Sequence, residues 1–180
     1  MELRLKPIGA DFPDMDHLCI LAAEAFPPQE HIAPQELIEM AQSKGFDFWA
    51  LYDGECFIGF MVVMTHRTMA YLFFLAIDAS LRSQGYGGAA LSKLQQTYPA
   101  HQHVVDMELL DNKADNVQQR IARRNFYIRN GYKPTGQYLS YFGVSYEVLC
   151  RDNLFDSALF EELLARVPVK DFTPRFFRIE

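Results

Sequence analysis

Residues 71–94 read YLFFLAIDASLRSQGYGGAALSKL, from Tyr71 to Leu94, and the fold is decided by how this stretch is read. Tyr71 to Ile77 is an unbroken apolar, aromatic-rich run, which predicts a strand buried on both faces. A short polar turn follows, then the glycine-rich run Arg82-Ser83-Gln84-Gly85-Tyr86-Gly87-Gly88, then Ala89, Ala90, Leu91 and Leu94 at helical spacing. Strand, glycine turn and helix aim free backbone N–H groups and the positive end of a helix dipole at one point. Such a point suits an anion, and phosphate above all.

The pattern around the glycines narrows the ligand. A nucleotide-triphosphate loop would end in Gly-Lys-Ser/Thr, whereas Gly88 is followed by Ala89 and Ala90. A dinucleotide fingerprint would space its glycines G-x-G-x-x-G, and Gly85-Tyr86-Gly87-Gly88 brings the third too early. The run does fit R/Q-x-x-G-x-G/A through Arg82, Gly85 and Gly87. It thereby resembles the pyrophosphate-binding motif of the GNAT family of N-acetyltransferases, which bind acetyl-CoA. On these residues alone a tight strand-to-helix turn without a ligand remains the alternative.

Composition excludes several classes. With 49 % hydrophobic and 22 % charged residues in 180, the chain can build a full core and is not disordered. Its apolar stretches are too short to span a bilayer, so no membrane partner is expected. The net charge of -6 opposes a broad nucleic-acid surface and suits a cationic or amine substrate. The start, MELRLKPIGADFPD, lacks a basic region and apolar core, so a cytoplasmic protein is expected. Cys19, Cys56 and Cys150 are far apart among apolar neighbours and are expected to be reduced, buried small residues. No spacing suggests a metal; His101 and His103 lie close together but lack a third ligand.

Before the central stretch, Glu2 to Pro7 alternates as a short strand. A helix should begin within Asp11 to Asp16 and end at Phe26, before Pro27-Pro28; a second starts at Pro34. Asp47–Tyr52 and Cys56–His66 flank Asp53-Gly54-Glu55, a hairpin signal, and a turn at Arg67-Thr68-Met69 makes an antiparallel meander with Tyr71–Asp78. After the glycine turn a helix to about Tyr98 leads to a strand over Val104–Leu110, which should run parallel to its predecessor by a right-handed crossover. A basic helix, Val117–Asn130, is capped by Gly131. Tyr132–Ser140 and Phe142–Leu149 form a closing hairpin, Cys150 to Asn153 is a break, and Leu154–Val167 is an amphipathic helix before an aromatic, basic tail, Asp171–Glu180.

This order is similar to the GNAT fold over residues 1–150. The implied architecture is α/β, with a mixed, mostly antiparallel twisted sheet of about seven strands flanked by helices. Residues 151–180 would be a C-terminal helical extension packed on the same domain. A second motif strengthens the resemblance: Phe126-Tyr127-Ile128-Arg129-Asn130-Gly131-Tyr132 looks like the family's F-Y-x-x-x-G-F/Y segment. Met107-Glu108-Leu109 and Asn116 parallel two further family elements.

The resemblance implies direct acetyl transfer from acetyl-CoA to a primary amine of a small molecule or peptide. The alternative is an acyl-CoA binding or regulatory module of the same fold without turnover. By carry-over, Tyr127 protonates the leaving thiolate and Glu108 is the candidate base, acting through water. Tyr127 could equally be a core tyrosine, and Glu108 a polar strand residue or one that orients a Tyr or Arg. The cofactor set implied is Leu75, Ala76 and Ile77 for the pantetheine amides, and Arg82, Ser83, Gln84, Gly85, Tyr86, Gly87 and Gly88 for the pyrophosphate. One of the strand N–H groups could stabilise the oxyanion. Asn116 matches a family residue beside the pantetheine, with a plain N-cap as the alternative. Arg123 and Arg124 could reach the 3'-phosphate, although Arg120, Arg123, Arg124 and Arg129 also fit a solvated face. Acceptor selection is implied for the first two helices and their loop, with Phe26, Glu30 and His31 as candidates. Phe172, Phe176 and Phe177 in the tail could cover the core, border the acceptor or meet a second copy of the chain, which leaves a homodimer open.

Overall fold

The computed structural model describes residues 2–26, 28–152 and 154–179, so the breaks expected at Pro27 and Asn153 lie outside the described residues. The strands are β1 (Leu3–Pro7), β2 (Phe46–Asp53), β3 (Cys56–His66), β4 (Met69–Ile77), β5 (Gln102–Glu108), β6 (Lys133–Tyr141), β7 (Val144–Cys150) and β8 (Arg175–Phe177). The helices are α1 (Met15–Ala25), α2 (Pro34–Met40), α3 (Tyr86–Thr97), α4 (Val117–Arg129) and α5 (Ser157–Leu164). The strands form an open, mostly antiparallel sheet in the order β1-β2-β3-β4-β5-β7-β6-β8. The chain divides into two compact units, Met1–Thr65 with Leu72–Pro99, and His66–Tyr71 with Ala100–Glu180.

In the first unit β1 and β2 pair antiparallel, Leu5 opposite Leu51, and β2 returns through Gly54 (φ +60°) into β3 with Asp53 opposite Cys56. The hairpin forms where Asp-Gly predicted it. Leu18, Leu21 and Ala22 of α1, Leu37 of α2, and Phe48, Ala50, Ile58, Phe60 and Val62 of the strands are buried. The Tyr98 hydroxyl accepts from Trp49 Nε1 at 2.8 Å and donates to Asp47 at 2.5 Å, tying the end of α3 to β2. Gly59 has a sharper reason. A Cβ there would lie 2.1 Å from the carbonyl oxygen of Ala76, so only glycine admits the end of β4 at this distance. Beside it the Asp78 N–H donates to Ile58 O at 2.9 Å.

In the second unit β7 pairs antiparallel with β5, Met107 opposite Glu147, and with β6 through a tight turn. That turn has Phe142 (φ +48°) and Gly143 (φ +75°) in the left-handed region, as a two-residue hairpin requires. Gly131 (φ +89°) ends α4, and the Tyr132 N–H turns back to Tyr127 O at 3.1 Å. Phe160 of α5 is fully buried, with its ring 5.3 Å from that of Tyr71 and 6.2 Å from Phe176.

Four sequence expectations are corrected. The tail contributes an eighth strand: β8 pairs with β6, Phe176 opposite Leu139. The last helix begins at Ser157 rather than Leu154, because the Asp156 carboxylate accepts from Leu159 N at 3.0 Å and caps it, leaving Leu154 82 % exposed. β5 stops at Glu108, and Leu110 is exposed. Cys56 is exposed at the hairpin, while Cys19 is half-buried and Cys150 buried; all three are free.

A Gly59→Ala variant should lose about 1–3 kcal/mol of unfolding free energy in urea, because the methyl group meets backbone that cannot rotate away. Gly54→Ala, with nothing within 4 Å of its added Cβ, should lose only about 1 kcal/mol from its left-handed backbone. Equal losses at the two positions would refute the close-approach account of Gly59.

Candidate active site

The loop expected to hold an anion belongs to the first unit. At the end of β4, Leu75 and Ile77 are half-buried and Ala76 is buried. Asp78 then accepts from Ser80 N at 2.8 Å and Ser80 Oγ at 2.6 Å, and lies 2.6 Å from His17 Nε2. The Ser80 hydroxyl, the Ser80 amide and His17 hold the Asp78 carboxyl below the usual carboxylate range. Arg82 Nε donates to Ile77 O at 3.3 Å and Gln84 Nε2 to Ser80 O at 3.2 Å, so both side chains fold back on the loop. Ser83 (φ +62°) and Gly85 (φ +89°) supply the left-handed steps that reverse the chain into α3.

The first intrahelical bond here runs from Ala89 N to Gly85 O at 3.1 Å. By helix geometry the preceding amides of Tyr86, Gly87 and Gly88 lack intrahelical partners. The Tyr86 hydroxyl anchors the turn by donating to Asp53 Oδ2 at 2.9 Å. Exposed Arg82, Ser83, Gln84 and Gly85, three amides without Cβ shielding at Gly87 and Gly88, and a full-length helix dipole suit a diphosphate.

The second unit carries Glu108, Asn116 and Tyr127. Glu108 is 7 % exposed, and its Oε2 is 2.9 Å from Asn116 Nδ2, 3.0 Å from Arg120 Nε and 4.0 Å from Arg123 Nη1. Arg120 also donates to Asn116 Oδ1 at 2.7 Å and to Leu109 O at 2.7 Å. Asn116 sits at the N-cap position but its side chain does not cap; it links Glu108 to Arg120. The plain N-cap alternative is therefore excluded. Arg124 makes a two-pronged pair with Glu147, 5 % exposed, at 2.9 and 3.2 Å. Arg120 and Arg124 thus turn inward, and Arg129 is exposed. The four arginines of α4 are not one solvated face.

Tyr127 is 7 % exposed, its ring edge-on to Phe126 at 5.1 Å and Tyr132 at 5.5 Å. Burial pushes its phenol up to about 12; Arg123 pulls against that rise and Asp106 adds to it. The group therefore keeps its proton well above neutrality.

Asp106 is a residue the sequence reading missed. Its Oδ1 accepts from the Tyr71 hydroxyl at 3.0 Å and its Oδ2 from the Tyr141 hydroxyl at 2.9 Å. The available signal was its spacing, two residues before Glu108 in an otherwise apolar strand.

The acceptor candidates lie in the first unit. The Phe26 ring packs 4.4 Å from Phe74 and 6.2 Å from Phe60; Glu30 ends a single 3-10 turn, Pro28–Glu30, and His31 is exposed. His103 is buried on β5, and its backbone N–H donates to Asp152 at 3.1 Å. A cleft of about 610 Å³ in the second unit, bordered by Lys133, Gln137, Asp152 and Arg178, includes none of the residues expected to bind cofactor or acceptor or to take part in the chemistry.

The profile of the acetyltransferase (GNAT) domain matches residues 44–134, half of the chain. No curated protein matches the sequence. Among solved structures, one described as a GNAT-family acetyltransferase from Bacteroides thetaiotaomicron superposes with a TM-score of 0.71 at 23 % identity, covering 88 % of this chain and 92 % of that one. An aminoglycoside 6'-N-acetyltransferase complexed with coenzyme A gives 0.62 at 16 % identity, over 85 % and 99 % of the two chains. The ribosomal-protein-S18-alanine N-acetyltransferase from Escherichia coli gives 0.59 at 17 %, over 86 % and 100 %. At these identities the likeness is one of fold.

Removing one partner of the buried Arg124–Glu147 pair strands a charge, so Arg124→Met should lower stability by about 3 kcal/mol in urea unfolding. Adding Glu147→Leu to that variant should restore most of the loss. If the double variant is no more stable than Arg124→Met, the pair does not act as described.

Proposed function

This chain belongs to the GNAT acetyltransferase family, and on that premise we propose that it moves an acetyl group from acetyl-CoA to a primary amine of a small molecule or peptide by direct transfer. The observation that carries the reading is the loop from Arg82 to Gly88, where a cationic side chain and helix-start amides without intrahelical partners share one turn. Acetyl-CoA, when bound, supplies an acetyl group activated as a thioester. A structural relative complexed with coenzyme A supports this choice of cofactor.

Arg82, Ser83, Gln84, Gly85, Tyr86, Gly87 and Gly88 hold the pyrophosphate by charge and backbone donors. The backbone of Leu75, Ala76 and Ile77 serves the pantetheine amides, and Asn116 and Arg123 complete the cofactor contacts proposed for this chain. Tyr127 keeps its proton on Oη far above neutral pH, so its hydroxyl is available to donate a hydrogen bond to the leaving sulfur as charge develops there and to pass a proton to it. Glu108 takes the proton from the acceptor nitrogen through water, its carboxylate kept in one orientation by Asn116 and Arg120. Phe26, Glu30 and His31 are the proposed contacts for the body of the acceptor. Relatives of the same fold named for an aminoglycoside and for a protein alanine support a small-molecule or peptide amine. We place the GNAT domain at residues 1–150 and treat 151–180 as its C-terminal extension. No helix among the described residues is long and apolar enough to cross a membrane.

The test is thiol release from acetyl-CoA across polyamines, aminoglycosides, amino acids and peptide N-termini, with the acceptor's mass gain read in parallel. Turnover with at least one amine class is expected; coenzyme A binding with no turnover of any would make the protein a binding module instead. In an active assay Tyr127→Phe should lower kcat about 100-fold with little change in the KM for acetyl-CoA.

A raised phenol pKa stabilises the fold fully below the ordinary value of 10 and loses that contribution as the pH rises toward about 12. Accordingly kcat should show no alkaline limb from Tyr127 below about pH 11. A limb near pH 9 that vanishes in Tyr127→Phe would contradict this assignment.

A further inference from the structure

β6 is interrupted near its start. Pro134 lies opposite Leu149 and Tyr138 opposite Glu147, so Thr135, Gly136 and Gln137 together face the single residue Val148 of β7. The bulge has bonds of its own: Thr135 Oγ1 donates to Val148 O at 2.9 Å and accepts from Gln137 N at 3.1 Å, with Gly136 at φ +75°. A bulge fixed in this way re-aims the side chains it carries. Here it borders the cleft of about 610 Å³ in the second unit, a volume ordinary for a small-molecule site.

Gln137 lines that cleft, and its Oε1 is shut off from solvent without a hydrogen-bond donor among the described residues. A buried carbonyl in this state is destabilising, and a ligand that donates to it relieves the deficit. Asp152 also lines the cleft; the His103 N–H donates to its Oδ2 at 3.1 Å and holds the exposed carboxylate in place. Exposed Arg178, directly after β8, supplies the opposite charge. Neither Asp152 nor Arg178 forms an ion pair among the described residues, with each other or with any third group. Lys133 borders the cleft as well but already has an interaction of its own, so Arg178 is the cation on which anion binding rests. The remaining wall is apolar: Leu154, left outside α5 by the Asp156 cap, is exposed, and Phe155 is half-buried.

These features constrain a ligand together. The Gln137 carbonyl and the Asp152 carboxylate require two nitrogen donors, the second of them cationic. Arg178 requires a carboxylate, which its planar fork grips at two points. Leu154 and Phe155 require an apolar side chain, whose contact takes exposed apolar surface out of water. A free amino acid has one nitrogen for two acceptors, a diamine has no carboxylate, and a fatty acid has no donor. A dipeptide carries an ammonium, a peptide N–H, a carboxylate and side chains in one small molecule.

We propose that this cleft is a binding site for short apolar peptides with both termini free. The ammonium pairs with Asp152, the peptide N–H donates to Gln137 Oε1, the carboxylate meets Arg178, and the side chains cover Leu154 and Phe155. None of the residues proposed for the cofactor, the acceptor or the proton transfers borders the cleft, so the inference does not rest on the acetyltransferase reading.

The test is isothermal titration calorimetry of L-leucyl-L-leucine into the full chain, without acetyl-CoA so that binding is read apart from turnover. A Kd below about 1 mM is expected. Removing one feature of the peptide at a time should weaken binding at least about tenfold in each case. N-acetyl-leucyl-leucine lacks the ammonium, leucyl-leucinamide the carboxylate, and glycylglycine the apolar side chains. Arg178→Gln should weaken leucyl-leucine about tenfold and leave leucyl-leucinamide unchanged, which assigns the carboxylate to that guanidinium. Gln137→Met should weaken leucyl-leucine about tenfold yet leave the melting temperature of the free protein unchanged or higher, because it removes an unsatisfied acceptor.

No binding of leucyl-leucine at about 10 mM, or equal affinity for glycylglycine, would overturn the proposal. So would an Arg178→Gln protein that binds leucyl-leucine as the wild type does. A Gln137→Met protein with a lowered melting temperature and undiminished peptide binding would reduce Gln137 to a structural part of the bulge and overturn its place in the site.

Discussion

The backbone of Ala76 occupies space that a side chain at residue 59 would need, and the presentation of the loop from Arg82 to Gly88 depends on that approach. With a Cβ on Gly59 only 2.1 Å from Ala76 O, β4 could not end where it does. The end of β4 is where Leu75, Ala76 and Ile77 give way to Asp78, whose amide is bound by Ile58 O and whose carboxylate organises Ser80 and His17. From there Arg82 and Gln84 fold back, and Gly85 turns the chain into α3. A missing methyl group on one strand thus sets the origin from which the next loop and helix are built.

In the second unit the corresponding constraint is electrostatic. Glu108 and Glu147 are buried carboxylates, and each is met by an arginine from α4, Arg120 and Arg124 respectively. Burying one of these charges alone would be prohibitive, so the rotation of α4 is coupled to two strand positions at once. Tyr127 lies on the same helix and inherits that rotation. Its depth, and therefore its elevated pKa, follows from where the two arginines are held.

Local patterns made much of this legible. Asp-Gly marked the β2–β3 hairpin, the apolar run from Tyr71 marked β4, and Gly131 marked the end of α4, each through a preference acting over a few residues. What escaped depends on contacts between distant residues. β8 is three residues long and is a strand only because Leu139 and its neighbours on β6 offer it an edge. The start of α5 moved because capping by Asp156 outweighed the apolar pair Leu154-Phe155. Asn116 read equally as a cap or a ligand contact, and its bridging of Glu108 and Arg120 required α4 to be placed first. Asp106 drew no attention in the sequence because its partners Tyr71 and Tyr141 are each 35 positions away.

The carboxylates of β5 and β7 therefore differ in what holds them. A guanidinium partner, as at Glu147, satisfies both the hydrogen-bonding capacity and the charge, and such a group is finished as a structural element. Glu108 is intermediate, with one oxygen committed to Asn116 and Arg120. At Asp106 two phenols, those of Tyr71 and Tyr141, supply direction to the two oxygens. Along one strand the protein thus graduates from a carboxylate tied to arginine toward one tied to tyrosine. Asp106 is also the carboxylate that adds to the rise of the Tyr127 phenol, after burial.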